Sequence, residues 1–77
     1  MLDVIVVSVQ KSIFSGKAKS IIFPGEKGVF EILPFHKPIL SRLIRGNLVI
    51  DGKTFSIRRG IVGFNYNKAY IVIEEDG

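Results

Sequence analysis

Apolar residues in this chain fall in short runs separated by turn formers, and nowhere do they keep a helical spacing for long. The expectation is β structure, because the abundant Ile and Val suit a pleated, half-buried surface. Leu2–Val9 and Ala18–Phe23 are nearly continuous apolar runs, as expected of strands covered on both faces or lining the inner wall of a sandwich. Thr54–Arg58 instead alternates, with Phe55 and Ile57 directed inward and Thr54, Ser56 and Arg58 outward. That period predicts a strand with one wet face.

Turn chemistry divides the runs. Asp51-Gly52, between Leu48–Ile50 and Lys53–Arg58, predicts a two-residue hairpin, since such a turn needs positive φ at both central positions. Pro24-Gly25 followed by Gly28 predicts a turn and loop, and Asn67-Lys68 predicts a turn between Ile61–Tyr66 and Ala69–Glu75. Between Pro38 and Ile44 the apolar spacing also fits about two turns of amphipathic helix, but so short a helix is marginal on its own. Extended structure is the expectation there. The runs amount to roughly five to ten short strands in a single all-β domain over residues 1–77, a sandwich or barrel rather than a fold built on a parallel sheet.

With 77 residues the chain has room for one core. A domain this small buries only about 60% of the surface its unfolded form exposes, so a partner surface is a natural source of further stability. The absence of cysteine excludes disulfides and thiolate-bound metal and fits a reducing compartment. Leu2–Val9 contains Asp3, falls far short of the roughly 20 residues of a membrane helix, and has neither a basic leader nor a cleavage site. The net charge of +4 hides an asymmetry: Glu74, Glu75 and Asp76 fall within the last four residues, leaving four acids against eleven bases, a net of +7, in residues 1–73. A basic body of this kind favours an acidic partner, a phosphate-bearing one or an anionic membrane edge. The acidic tail reads as a solvated end.

Candidate chemistry is sparse. His36 is the only histidine, and no serine stands in an activating turn, which argues against a Ser–His–Asp site. One histidine, no cysteine and scattered acids do not supply a metal set. Pro24-Gly25-Glu26-Lys27-Gly28 lacks the Gly-Lys-Ser/Thr ending of a phosphate-binding loop and reads as a turn between strands. Leu33-Pro34-Phe35-His36-Lys37-Pro38 is a stiff, irregular loop, because two prolines restrict its backbone. Either Phe35 plugs the core and His36 tops the loop, or the loop is a rigid recognition element. Arg58-Arg59 with Tyr66 and Tyr70 would make a basic, aromatic surface for nucleic acid, except that adjacent strand residues point to opposite faces unless a bulge intervenes at Gly60.

Read in order, several segments resemble the N-terminal β-sandwich domain of the epsilon subunit of the rotary, F-type proton-translocating ATP synthase. Leu2-Asp3-Val4 is similar to the family's first strand, and Ile13-Phe14-Ser15-Gly16 to its Phe-Ser-Gly turn. Pro24-Gly25-Glu26-Lys27-Gly28-Val29-Phe30 resembles its Pro-Gly-x-x-Gly-x-Phe loop. The most specific segment is Ile32–Leu40, which resembles the family's Ile-Leu-Pro-Gly-His-Ala-Pro-Leu-Leu with His36 and both prolines in register. Arg45-Gly46 resembles the Pro-Gly before a strand, and Phe55–Gly60 stands where the family has Phe-Ala-Val-Ser-Gly-Gly. This sequence departs from the pattern at Phe35 (for Gly), Lys37 (for Ala) and Arg58-Arg59 (for Ser-Gly), and Val29 stands where many members carry an acid. Phe in place of Gly predicts an altered loop path, since it disfavours positive φ.

The resemblance implies a two-sheet β-sandwich, or flattened barrel, of roughly ten strands, without the helical hairpin that follows it in the family. It implies a non-catalytic central-stalk subunit that joins the gamma subunit to the c-ring and couples proton translocation to ATP synthesis. Such a protein would sit peripherally on the cytoplasmic face of the inner (plasma) membrane, with no cofactor, small-molecule substrate or nucleic acid. Contacts to the c-ring are expected from Gly25, Gly28, Val29, Phe30, Pro34, His36, Lys37 and Pro38. Contacts to gamma are expected around Ile57, Arg58, Arg59, Gly60, Ile61 and Val62. A small basic nucleic-acid module, and a stalk-like domain recruited to another assembly, are the alternatives.

Overall fold

The computed structural model describes residues 1–76, which form eight strands and no helix. They are β1 (Leu2–Val7), β2 (Ser12–Ala18), β3 (Ile21–Gly25), β4 (Gly28–Ile32), β5 (Ile39–Leu43), β6 (Gly46–Ile50), β7 (Lys53–Asn65) and β8 (Lys68–Glu75). One hydrogen-bonded network folds over on itself into two layers. The order β2-β1-β8-β7-β5 makes one layer; β4-β3-β6 and the first half of β7 make the other. A single pair, Gly25 with Leu43, joins β3 to β5 where the layers meet.

The strand count is lower than the roughly ten expected because Lys53–Arg58 and Ile61–Tyr66 are one strand. β7 runs for 13 residues and serves both layers, pairing first with β6 and then with β5 on one edge, and with β8 on the other. A register shift between Ile57 and Arg59 makes Arg58 the extra residue of a bulge, which bends the strand from one layer into the other. One pairing is parallel, that of β1 with β8, in a fold otherwise antiparallel. These are the first and last strands, so the whole domain serves as their crossover.

The alternation read in Thr54–Arg58 holds, with Ile57 fully buried and Phe55 packed at the core margin. Leu2, Val4 and Val6 from β1 and Ala69, Ile71 and Ile73 from β8 face Ile21 and Phe23 from β3, Ile32 from β4, and Leu48 and Ile50 from β6. Phe23 and Phe30 stack at 5.0 Å across the β3–β4 pair. No polar or charged side chain is buried among the described residues, so apolar area is what holds the layers together.

Turns account for the remaining differences. β1 ends at Val7 rather than Val9, because Ser8 turns the chain: its Oγ accepts hydrogen bonds from the amides of Gln10 and Lys11, and its own amide donates to the Lys11 carbonyl. Val9 is therefore 94% exposed. Phe14-Ser15-Gly16 lies within β2 and is not a turn. The run Ala18–Phe23 breaks at Lys19-Ser20, whose amides donate to the Asp51 carboxylate at 2.9 and 3.0 Å. Asp51 and Gly52 take φ of 46° and 84°, the two positive values the hairpin needed. Pro24 and Gly25 are buried strand residues, and the turn proper is Glu26-Lys27. The last turn is Tyr66-Asn67, one residue earlier than expected. Pro38–Ile44 is extended, as β5.

Candidate docking surfaces

Leu33-Pro34-Phe35-His36 is a tight turn closed by the His36 amide donating to the Leu33 carbonyl at 3.1 Å. Pro34 supplies the fixed φ of its second position, and Phe35 takes φ of 69° at its third, where glycine is usual. Phe35 thus adopts the positive φ that a side chain was expected to disfavour. Asn67 Oδ1 holds it there by accepting from the Phe35 amide at 2.7 Å. Phe35 does not plug the core; it is 89% exposed. His36 is the anchored member, half-buried with Nδ1 2.7 Å from the Lys37 carbonyl and its ring edge-on to buried Phe64.

The other loop expected to meet a c-ring is the tip of the β3–β4 hairpin. Gly25 is buried there, since a methyl group on it would fall 2.7 Å from the Phe30 ring, and Gly28 takes φ of 123°. Phe30 is half-buried against Phe23, so Val29 carries the exposed apolar surface. The two loops lie at opposite ends of β4, about 13 Å apart at 3.3 Å per strand residue. Val29, Glu31 and Leu33 face outward between them, so the loops and the strand form one continuous edge. Pro34 is half-buried on that edge, while Lys37 and Pro38 are exposed.

Of the residues expected to meet gamma, Ile57 and Val62 belong to the core and present no surface. Gly60 is pressed against β8, a methyl group there standing 2.7 Å from the Val72 carbonyl oxygen. Arg58, Arg59 and Ile61 are exposed. The bulge lies at Arg58, not Gly60, and lets both arginines reach Glu74, at 3.3 and 3.1 Å. They share one carboxylate instead of making a free basic patch. The acidic tail is likewise structured: Glu75 pairs with Lys11 at 3.9 Å, and Asp76 with Arg45 at 2.9 Å. At the other end of the molecule the Lys17 ammonium, 2.8 Å from Asp3, bonds to its carboxylate and lowers its pKa.

Ile61 leads to a surface that turn and motif reading missed. The outward residues of β5, β7, β8 and β1 align in two rows, Leu40–Gly63–Tyr70–Ile5 and Arg42–Ile61–Val72–Val7. Leu40, Tyr70, Ile61, Val72 and Ile5 are each 42–76% exposed, so this sheet face is apolar and uncovered. Its signal was present in the nearly continuous apolar run at Leu2–Val9, which implied a cover on the outer face as well. Among the described residues no group of three His, Cys, Asp or Glu is placed to hold a metal.

Residues 1–75 match the family described as ATP synthase, delta/epsilon chain, β-sandwich domain. The chain is 36% identical over 75 residues to the ATP synthase epsilon chain of Chlorobaculum tepidum, covering 91% of this chain and 85% of that protein. It is 49% identical over 49 residues to the epsilon chain of Bordetella avium, covering 64% of this chain and about a third (35%) of that longer protein. In fold it resembles a chain of the Tetrahymena thermophila mitochondrial ATP synthase central stalk and c-ring, at TM-score 0.80 and 19% identity over 96% of this chain and 63% of that one. A chain of the Euglena gracilis mitochondrial ATP synthase gives TM-score 0.87 at 18% identity, over 96% of this chain and 51% of that one. The sandwich, the motif order and the relatives agree: this chain belongs to the β-sandwich domain family of ATP synthase delta and epsilon chains.

Proposed function

We propose that this protein is a non-catalytic central-stalk subunit of an F-type ATP synthase, joining the gamma subunit to the c-ring so that proton translocation drives ATP synthesis. The carrying observation is the two-sided surface on a small rigid sandwich: an apolar sheet face around Ile61, Val72, Tyr70 and Ile5, and a separate loop-bearing edge from Val29 to Pro38. An adaptor needs two such surfaces and no catalytic group. The sheet face suits gamma, with Arg58 and Arg59 held at its border by Glu74. The edge suits the c-ring, with His36 braced from behind by Phe64. The protein then lies peripherally on the cytoplasmic face of the inner (plasma) membrane, as part of the complex.

Size-exclusion chromatography with gamma and the alpha–beta head from the same source tests this reading. Stoichiometric co-elution that persists in high salt is expected, because apolar packing is screened far less than ion pairing. Ile61→Asp with Val72→Asp should abolish it, while His36→Ala with Lys37→Ala should leave co-elution intact and weaken proton pumping by the reconstituted complex. Absence of co-elution in both salts would remove the stalk role and return the domain to another assembly or to nucleic acid.

A further inference from the structure

Phe35 and Tyr66 lie on two different loops at one cleft and are 89% and 88% exposed. They line one shallow cleft with His36, Pro38 and Asn67, and the Asn67 side chain ties the loops together. Both aromatics occupy positive φ, 69° and 49°, a backbone region that bulky residues rarely adopt and that glycine or asparagine enters at lower cost. Neither residue is repaid by burial within the chain. Strain kept beneath two exposed aromatic rings points to an external use for those rings.

The charge around them selects the partner. Lys37 and Lys68 each follow one of the aromatics by two residues and are exposed. Lys68, the terminal amine and Lys17 surround Asp3, the acid at the start of β1. Glu26, Glu74, Glu75 and Asp76 belong to the opposite end, beside the Gly25–Leu43 junction and the end of β8. Glu31 and Asp51 lie toward the tip, Glu31 on the outward row of β4 and Asp51 with its carboxylate engaged by the Lys19 and Ser20 amides. Exposed aromatic side chains with lysines close by in two neighbouring loops match the interfacial zone of an anionic bilayer, where rings lie at headgroup depth and ammonium groups meet phosphate.

We propose that the Phe35–Tyr66 tip, with Lys37 and Lys68, inserts into the headgroup layer of an anionic membrane. This adds a lipid contact to the loop that the stalk assignment places against the c-ring, and it can be tested on the free chain without that assignment. Co-sedimentation of the full chain with vesicles of phosphatidylglycerol and phosphatidylcholine should show binding that is absent with phosphatidylcholine alone. Phe35→Gly combined with Tyr66→Asn suits the backbone at both sites, so the variant should remain folded by circular dichroism and lose about tenfold in partitioning. Lys37→Gln with Lys68→Gln should weaken binding and flatten its salt dependence. The proposal is overturned if the wild-type chain ignores anionic vesicles or if the aromatic variant partitions equally well. It is also overturned if the two aromatics are needed for binding single-stranded oligonucleotide and not vesicles. In each case co-elution with gamma would stay as it is, since the tip lies outside the apolar sheet face.

Discussion

At Gly60 a single added methyl group would meet the Val72 carbonyl oxygen at 2.7 Å and the Ile73 side chain at 3.1 Å. The carbonyl belongs to the paired backbone of β8 and cannot swing aside as a side-chain end would. Gly60→Ala should therefore cost about 1–3 kcal/mol in urea denaturation. A loss within experimental error would mean that the β7–β8 pair opens more readily than its register suggests. Gly52 poses a different problem, for nothing lies within 4 Å of its missing Cβ and only its φ of 84° disfavours a side chain. Phe35 is the converse case: a side chain is tolerated on a glycine-like backbone because Pro34 and Asn67 hold the turn from both sides. The positive φ there was not legible from Phe35 itself. It follows from a hydrogen bond to a residue 32 positions away.

Among the elements, the Asp51-Gly52 hairpin was legible because its requirement, two positive φ values between two apolar strands, is local. Asp51 has a second role that sequence did not reveal. Its carboxylate accepts from the amides of Lys19 and Ser20 and so ends β2 and starts β3. Asp51→Ala loses these charge-assisted bonds and should destabilise the domain by about 1.5–3 kcal/mol in thermal or urea unfolding. Asp51→Asn retains an acceptor and tolerates the left-handed backbone, so it should lose clearly less. Equal losses for the two substitutions would assign the effect to charge alone. β7 illustrates the limit of local reading: Arg58-Arg59-Gly60 looks like a break, yet the chain continues through it because a bulge at Arg58 keeps β7 paired with β8.

For the molecule as a whole, β7 belongs to both layers, and the parallel β1–β8 pair joins the chain's two ends. Neither layer has a complete strand set without the other. Thermal unfolding should accordingly be one cooperative transition, with far-ultraviolet circular dichroism and tyrosine fluorescence giving the same midpoint. Amides of β7 and β8 should be among the slowest to exchange with solvent. Separate midpoints for the two probes would show that one layer melts alone. The exposed ion pairs, Asp3–Lys17 and Arg45–Asp76 among them, add little to this stability, since such pairs are worth about 0–1 kcal/mol each.

Patterning and turn residues by themselves determined the all-β class, the Asp51-Gly52 hairpin, the inward set Phe55 and Ile57, and the extended course of Pro38–Ile44. Each depends on the preferences of neighbouring residues. The order of motifs from Leu2 through Ile32–Leu40 to Gly60 also carried the family. Tertiary structure alone decided that Val62 is core while Arg59 and Ile61 are surface, that Glu74 joins the two arginines, and that Phe35 and Tyr66 line one cleft. It also decided that Leu40, Ile61, Tyr70, Val72 and Ile5 share a face. These facts depend on strand register, a bulge and hydrogen bonds between distant residues, and a pattern that repeats every second residue does not specify which strands will lie side by side.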